Sequence, residues 1–353
     1  MRPATLVRLA LRYLRGYARR YLFLLLALAF GFAVITVATS LRDGMERNVR
    51  RAARNHYAGH VFVLGFDKQA DTMGVMDRPG EVEEAIEESG IVVDTVVRRT
   101  VSHLRATLYF QGRAVRMKDV FGVDFEHEQG LFESTEYAQG AVTNPVPPDA
   151  IILSQAVADR LGARVGDRVT LEAPTRRLQI NTADFVVAAT LRESTLFTHF
   201  TSYVHREALN DLLGLQPNAV STVGIYLNDP DVAGQAAARL RDALEGSLPL
   251  SPPIDHKDDL TFYLSEEWTG VRHLVLPLAV YISEVSDLLS AMTLASYVLY
   301  VLILSVVAGS AVVTYRLILD ERARELATMR AVGIQKPTMA LLLVVEAAML
   351  FLV

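Results

Sequence analysis

The stretch AIILSQAVADRLGARVGDRVTL, residues 150–171, decides the fold. AIIL has the apolar, β-branched composition of a buried strand. SQAVADRLG predicts a helix, with Ser154 as N-cap and Gly162 as C-cap. A turn through Gly166 and Asp167 then leads into RVTLE, which predicts a second strand. The succession of strand, helix and strand indicates an α+β domain with this stretch in its core.

Predicted strands and helices alternate on both sides of this stretch. Strands are predicted at residues 61–66, 91–97, 104–110, 114–123, 184–191 and 221–227, and helices at 81–88, 206–213 and 231–245. The short link QGR, residues 111–113, predicts a hairpin between the strands that flank it. A last helix, from about Ser265 through Trp268 and Ile282, is expected to lead into the apolar segment that follows. Residues 43–285 are therefore predicted to form one mixed α/β domain carried on two helical stalks.

Two long segments without a charged side chain predict membrane spans. Residues 21–40 form the first, and about 20 residues at about 1.5 Å each cover the roughly 30 Å of hydrocarbon in a bilayer. Residues 288–315 form the second. A third apolar run begins after Pro337, and about 16 residues are too few for a comfortable span, so we expect this helix to continue beyond Val353. The predicted segments are transmembrane helix 1 at 21–42, transmembrane helix 2 at 286–315 and the start of transmembrane helix 3 at 337–353.

The distribution of basic residues predicts which segments are cytoplasmic. Residues 1–20 contain six arginines and no acidic residue, and apolar residues recur among them at helical spacing. We therefore expect a basic amphipathic helix on the inner membrane surface. The basic loop at 316–336 is likewise cytoplasmic, which places the domain at 43–285 on the far side. A signal peptide would also have a basic start and an apolar middle, but the long basic region and the later spans favour a membrane helix.

The composition excludes several classes of function. The chain is 51% hydrophobic and 21% charged with a net charge of -5, which fits membrane spans plus a water-exposed domain and offers no basic field for nucleic acid. It has no cysteine, so neither a disulfide nor a thiolate site is available. His56 and His60 have helical spacing but no accompanying carboxylate cluster, so no metal site is predicted. No phosphate-binding loop occurs, so this chain is not expected to hydrolyse ATP or to bind a cofactor.

Several motifs resemble one family of membrane proteins. They are LRYLRG at 11–16, SLRDGME at 40–46, GHVFV at 59–63, the stretch at 150–171, and DERARELATMRAVGIQKPTMALLLVVEAAMLFL at 320–352. Together they resemble ABC transporter permeases of the MacB/FtsX superfamily, and most of all the LolC/LolE lipoprotein-releasing permeases.

The resemblance implies a bacterial inner-membrane protein with four transmembrane helices and a large MacB-like periplasmic domain between the first two. It implies a non-catalytic permease subunit that works with an ABC ATPase dimer, which binds ATP and Mg, and with a second permease subunit. In such a complex ATP hydrolysis moves a cytoplasmic lever and the periplasmic domains respond, which is mechanotransmission. The implied cargo is a lipoprotein or another amphiphile taken from the lipid bilayer.

The candidate site residues follow from this arrangement. The ATPase-coupling residues are predicted to be Glu321, Arg322, Arg324, Glu325, Arg330 and Gly333, although a simple topogenic loop would carry the same basic residues. Glu346 lies within an apolar run, where an acidic side chain costs a few kcal/mol and usually faces a bundle interior or the interface. Small residues that allow close helix packing around a cargo cavity are Ala27, Gly31, Ala291, Ala295 and Gly309.

Two other functions fit parts of the pattern. A MacB-like exporter of drugs or peptides would have the same architecture and a different cargo. A sensor receptor would place an extracytoplasmic ligand-binding domain between two spans and a soluble signalling domain after Tyr315. The third apolar run counts against the receptor.

Overall fold

The computed structural model describes residues 18–68, 73–103, 105–192, 198–341 and 344. The chain divides into two compact units. One is Arg47–Asp287, called the module below, and the other comprises the residues on both sides of it. The side of the membrane on which each segment lies stays a prediction.

The described elements alternate through the module and end in long helices. The helices are α1 (Ala18–Tyr57), α2 (Pro79–Glu88), α3 (Gln129–Glu133), α4 (Gln155–Leu161), α5 (Arg206–Leu213), α6 (Ala233–Leu244), α7 (Lys257–Ser265), α8 (Leu278–Tyr281), α9 (Ser283–Glu321) and α10 (Ala323–Ala331). The strands are β1 (Val61–Asp67), β2 (Met73–Gly74), β3 (Val93–His103), β4 (Thr107–Phe110), β5 (Arg113–Arg116), β6 (Asp119–Val123), β7 (Tyr137–Gly140), β8 (Ala150–Ser154), β9 (Arg168–Pro174), β10 (Ile180–Leu191), β11 (Thr201–His205), β12 (Thr222–Leu227) and β13 (Val271–Pro277).

The strands of the module form one mixed sheet. Its order is β13-β1-β12-β3-β6-β11-β8-β10-β9-β4-β5, with β2 added to β1 and β7 added to β10. Strand β3 pairs with β12 along its first part and with β6 along its last part. The sheet therefore has two parts, the first half-sheet (β13, β1, β12 and the start of β3) and the second half-sheet (the end of β3 through β5).

Each half-sheet has its own apolar core. Helices α2 and α6 cover one face of the first half-sheet, and its other face packs against the end of α1 and against α7 and α8. Helices α4 and α5 cover one face of the second half-sheet, while α3 lies on the other. Strands β6, β8 and β12, which are covered on both faces, are therefore buried almost throughout. Strands β9 and β10 instead alternate buried and exposed residues over part of their length.

The stretch at 150–171 folds as predicted. It forms β8, α4 and the start of β9, and Ile151 and Leu171 are completely buried. Gly162 ends α4 in the left-handed conformation, with φ of 74°, which glycine adopts without strain. Ser154 occupies the N-cap position, although its side chain makes no capping hydrogen bond. Helices α2, α5 and α6 and strands β1, β10 and β12 also confirm predicted elements.

The predicted helix from Ser265 to Ile282 is wrong. Helix α7 ends at Ser265, and residues 271–277 form β13, an edge strand antiparallel to β1 over seven residue pairs. Gly270, with φ of 76°, starts this strand after a turn. VRHLVLP is an apolar, β-branched run that pairs with a strand distant in sequence, and this pairing overrides any local preference for helix. The second long helix therefore begins at Ser283.

The predicted single strand at 114–123 is also wrong. The chain bends at Met117 and Lys118 and divides into β5, which pairs with β4, and β6, which pairs with β3 and β11. Two backbone hydrogen bonds hold the bend, from Met117 N to Ala106 O at 2.9 Å and from Lys118 N to Phe200 O at 2.9 Å. The hairpin itself is confirmed, with Gln111 and Gly112 both at positive φ, as a tight two-residue turn requires.

The long helices outside the module are consistent with membrane segments in length. Among the described residues one helix segment, Ser283–Ser310 in α9, has the length and apolar composition needed to cross a bilayer. Length and composition alone support that reading. Helix α1 runs without interruption through 40 residues, and the prediction that residues 21–42 span the membrane stays a prediction.

The turn between α1 and β1 fixes how the end of α1 meets the sheet. Ala58 and Gly59 have φ of 68° and 134°, and His60 N donates to Ile225 O at 2.8 Å. Gly224 in β12 lies directly beneath this turn. A Cβ at position 224 would lie 1.8 Å from Ala58 O, a backbone atom that can move only with the turn.

We expect Gly224→Ala to destabilise the protein by about 2 kcal/mol or more, because the added methyl group displaces backbone. Gly234→Ala in α6 is the matched control. Nothing lies within 4 Å of its added Cβ, so it should be neutral or up to about 1 kcal/mol stabilising. Thermal unfolding of the full chain in detergent measures both. Equal stability of the two variants would contradict the close contact at Gly224.

Candidate functional site

The predicted coupling segment, residues 316–336, contains the end of α9 and the short helix α10. Helix α9 continues to Glu321, Arg322 lies at the break, and α10 follows for nine residues. Gly333 then turns the chain with φ of 92°, and helical structure resumes at residue 336. The segment is thus a short helix between two turns.

The predicted coupling residues fall into two environments. Glu321, Arg324, Glu325 and Arg330 are exposed. The Arg322 side chain is only 4% exposed, and its Nε lies 4.0 Å from Glu325 Oε2. None of the nine residues of α10, all of which are described, is buried. Arg322 therefore belongs to the packing of the break, whereas α10 presents its charged residues to the surroundings.

The predicted helix-packing residues differ in their exposure. Gly31 is buried, whereas Ala291, Ala295 and Gly309 are exposed along α9. A Cβ added at Gly309 would meet no atom within 4 Å. Ala27 lies in α1, and its side chain is outside the described set. Glu346 lies outside the described residues.

A buried polar cluster that the sequence did not reveal lies where α1 meets the sheet. Arg99 in β3 is 1% exposed, and its Nη1 donates to Asn55 O at 3.0 Å and to His56 O at 2.9 Å. Its Nε donates to Glu128 Oε1 at 3.1 Å, and its Nη2 also bonds to the Glu128 carboxylate. Burial disfavours the charged guanidinium, but attraction and hydrogen bonds from Glu128 outweigh this, so the pKa of Arg99 is raised.

His56 and Asp119 extend this cluster. His56 Nε2 lies 3.6 Å from Asp119 Oδ2, and His103 Nδ1 bonds to the other oxygen of the same carboxylate. The His56 ring packs edge-on against Phe121, with centroids 5.0 Å apart. Burial lowers the pKa of His56 to about 3, although the Asp119 carboxylate acts in the opposite direction. His56 is therefore neutral in the folded protein at neutral pH.

The two histidines with helical spacing do not face a common ligand. His60 accepts a hydrogen bond at Nδ1 from Leu227 N at 2.9 Å, whereas His56 Nε2 lies beside Asp119. Within the described ranges, no group of three or more His, Cys, Asp or Glu side chains is arranged to hold a metal ion.

The comparison with protein families decides the relationship. The family described as MacB-like periplasmic core domain matches residues 22–243, more than half of the chain. The chain belongs to the MacB-like periplasmic core domain family. No curated protein matches it.

Two solved structures align with this MacB-like chain. The periplasmic region of MacB from Actinobacillus actinomycetemcomitans is 10% identical, with a TM-score of 0.37, over 66% of this chain and 96% of that one. A domain of a putative permease protein from Porphyromonas gingivalis is 12% identical, with a TM-score of 0.29, over 62% of this chain and 87% of that one.

The family match supports the MacB/FtsX superfamily and, with it, a permease-type subunit of an ABC transporter. A MacB-like domain implies a membrane protein with a periplasmic domain, and partnership with an ATPase. The match does not favour the LolC/LolE subtype over other members of the superfamily.

We expect acid to destabilise the module through His56. In the unfolded chain a histidine takes up a proton below about pH 6.5, whereas folded His56 resists protonation down to about pH 3. The free energy of unfolding should therefore fall between these values, by up to about 1.4 kcal/mol per pH unit for this group. His60 and His273, whose pKa values burial also lowers, add to the same trend.

Chemical denaturation of the full chain between pH 6.5 and pH 4.5 tests this expectation. The variant His56→Gln should show a shallower loss of stability than the wild type, because it removes one proton-binding group from the unfolded state. Identical slopes for the two proteins would show that His56 is not held neutral by the fold.

Proposed function

We propose that this chain is the permease subunit of an ABC transporter, and that it couples ATP hydrolysis in a partner ATPase to movement of its periplasmic module. The observation that carries the proposal is the family match over residues 22–243. Support comes from α10, a charged helix without a buried residue that directly follows the long apolar helix α9. ATP and Mg would be bound by the ATPase dimer.

The proposed topology is that of a multi-pass protein of the bacterial inner membrane. Residues 1–20 lie on the cytoplasmic surface, and residues 21–42 and 286–315 span the membrane. Residues 43–285 are periplasmic, residues 316–336 return to the cytoplasm, and residues 337–353 begin a third span. A fourth span is expected, as in the superfamily. We further propose that the transporter contains a second permease subunit, either identical to this chain or related to it.

The physical basis of coupling is the continuity of helices. Helix α1 has 40 residues, which corresponds to about 60 Å, twice the thickness of the hydrocarbon core. A helix of this length can carry a displacement from the membrane to the module without unfolding. On the other side, α9 ends within two residues of α10, so a force on α10 reaches α9 through a short connection.

The proposed cargo is an amphiphile, and a lipoprotein extracted from the inner membrane for transport to the outer membrane is the form we favour. The LRYLRG, SLRDGME and GHVFV motifs support this choice by their resemblance to lipoprotein-releasing permeases. The exporter of drugs or peptides shares the same family and needs the same coupling. Purification of the complex separates the two, because lipoprotein in the purified material supports release, whereas an outer-membrane tunnel partner supports export.

We expect the double reversal Glu325→Arg with Arg330→Glu to lower permease-stimulated ATP hydrolysis by about tenfold or more, equivalent to about 1.4 kcal/mol of lost coupling. The exchange leaves net charge unchanged, so the positive-inside signal and insertion should persist. ATPase rates of the reconstituted complex measure the effect.

The matched control is Glu87→Arg with Arg239→Glu, a reversal of the same kind at exposed positions on α2 and α6 of the module. It should leave stimulation at the wild-type level. Normal stimulation by a stably inserted Glu325 and Arg330 double variant would reduce the segment at 316–336 to a connector.

A further inference from the structure

Arg99 lies at the junction between the two half-sheets, where the partner of β3 changes from β12 to β6. Arg99 is the last residue of β3 to pair with β12, opposite Thr222, and Thr100 is the first to pair with β6, opposite Gly122. Ser221 N donates to Arg99 O at 2.8 Å, and Ser221 Oγ accepts from Val101 N at 2.9 Å. The residues of β3 up to Arg99 therefore pair within the first half-sheet, and those from Thr100 onward pair within the second.

The guanidinium of Arg99 ties this junction to the end of α1. The last carbonyls of a helix have no partner within the helix, and a cation there is favoured by the helix dipole. Arg99 supplies a hydrogen-bond donor and a positive charge at this helix end. Its Nη1 donates to Asn55 O and His56 O, near the end of a helix that stops at Tyr57. A displacement of the end of α1 therefore acts directly on the residue that joins the half-sheets.

Glu128 holds the guanidinium in this position. Glu128 directly precedes α3, which packs on the second half-sheet. Its carboxylate accepts hydrogen bonds from two nitrogens of Arg99, Nε and Nη2, and these bonds prevent rotation of the guanidinium. The Glu128 side chain is 2% exposed. Three elements therefore meet at one side chain: the end of α1, the junction in β3, and the turn before α3.

A buried ion pair is a costly way to achieve stability alone. Desolvation of both ions offsets most of their attraction, and well-packed apolar residues of similar size often give equal or greater stability. The direction of the hydrogen bonds, by contrast, cannot be reproduced by apolar side chains. The pair is therefore better suited to fixing an angle than to raising the free energy of unfolding.

We propose that Arg99 and Glu128 are positioning residues for coupling, forming the joint that makes the second half-sheet follow the end of α1. The inference rests on the proposed function, since it assumes that α1 moves when the partner ATPase works. It assigns no contact with ATP or cargo to either residue.

The test compares two double variants of the full chain. Arg99→Met with Glu128→Leu removes the joint without leaving a lone buried charge. Arg98→Met with Glu83→Leu is the control. It removes the neighbouring ion pair between β3 and α2, in which the side chain of Arg98 is 42% exposed and that of Glu83 30% exposed. Arg99→Gln with Glu128→Gln, which leaves no buried charge and keeps hydrogen-bonding side chains, replaces the first variant if that variant fails to fold.

Spin labels report the movement in lipid vesicles that contain the partner ATPase. The chain has no native cysteine, so pairs introduced at the exposed residues Arg51 and Ser310, or Asp184 and Ser310, are labelled cleanly. The first pair reports α1 against α9, and the second reports the second half-sheet against α9. Distances are measured without nucleotide and with ATP trapped by vanadate.

In the wild type and the control variant, both distances should shift with ATP. In the joint variant the distance from Arg51 should still shift, whereas the shift at Asp184 should be lost, and stimulated ATP hydrolysis should persist. A wild-type shift at Asp184 in the joint variant would overturn the joint. Absence of any ATP-dependent shift in the wild type would instead overturn the proposed function, and the joint with it.

Discussion

The hydrogen bonds from Arg99 to the last carbonyls of α1 are the contact on which the arrangement of the module depends. They bring a long helix to the one residue of β3 at which its partner changes from β12 to β6. Glu128 makes the contact possible, because an unpaired guanidinium buried at this depth would cost about 3–5 kcal/mol. The close approach of Gly224 to Ala58 lets the chain turn from α1 into β1 at the same place. Backbone and side-chain contacts therefore fix α1 to the sheet together.

Local signals explain which elements the sequence could reveal. The unit at residues 150–171 was predictable because an apolar strand, a capped helix and a glycine turn follow one another in few residues, and each signal is independent of distant partners. The sequence predicts helix at residues 271–277 because only pairing with β1, about 200 residues earlier in the chain, makes them a strand. The sequence predicts one strand over residues 114–123 because the bend at Met117 and Lys118 is held by the carbonyls of Ala106 and Phe200, which lie elsewhere in the chain. Contacts distant in sequence leave no local signal.

The same distinction applies to the residues for which we propose a role in coupling. Charge excess and motif resemblance could point to α10, because exposed charges on a loop between apolar runs are visible in sequence alone. Arg99 and Glu128 were missed because each lies in a charged segment, VVRRT and FEHEQG, that looks solvent-exposed. Alternation along β3 places Arg98 and Arg99 on opposite faces of the sheet. It shows which of the two is buried only when the face of β3 that contacts α1 is known. Period-two alternation along β3 was the available signal, and it identifies Arg99 as inward-facing only once the strand has been placed in the sheet.

The central proposal is that the module and α10 lie on opposite sides of a membrane, since only then can movement pass through the proposed membrane helices from one compartment to the other. Single cysteines at Gln139 in β7 and Arg324 in α10, both exposed, test it in intact cells with a thiol reagent that does not cross the inner membrane. The account predicts that Gln139→Cys is labelled without permeabilisation and Arg324→Cys only after it. Labelling of both positions under the same condition would place the module and the coupling segment on one side and would contradict the account.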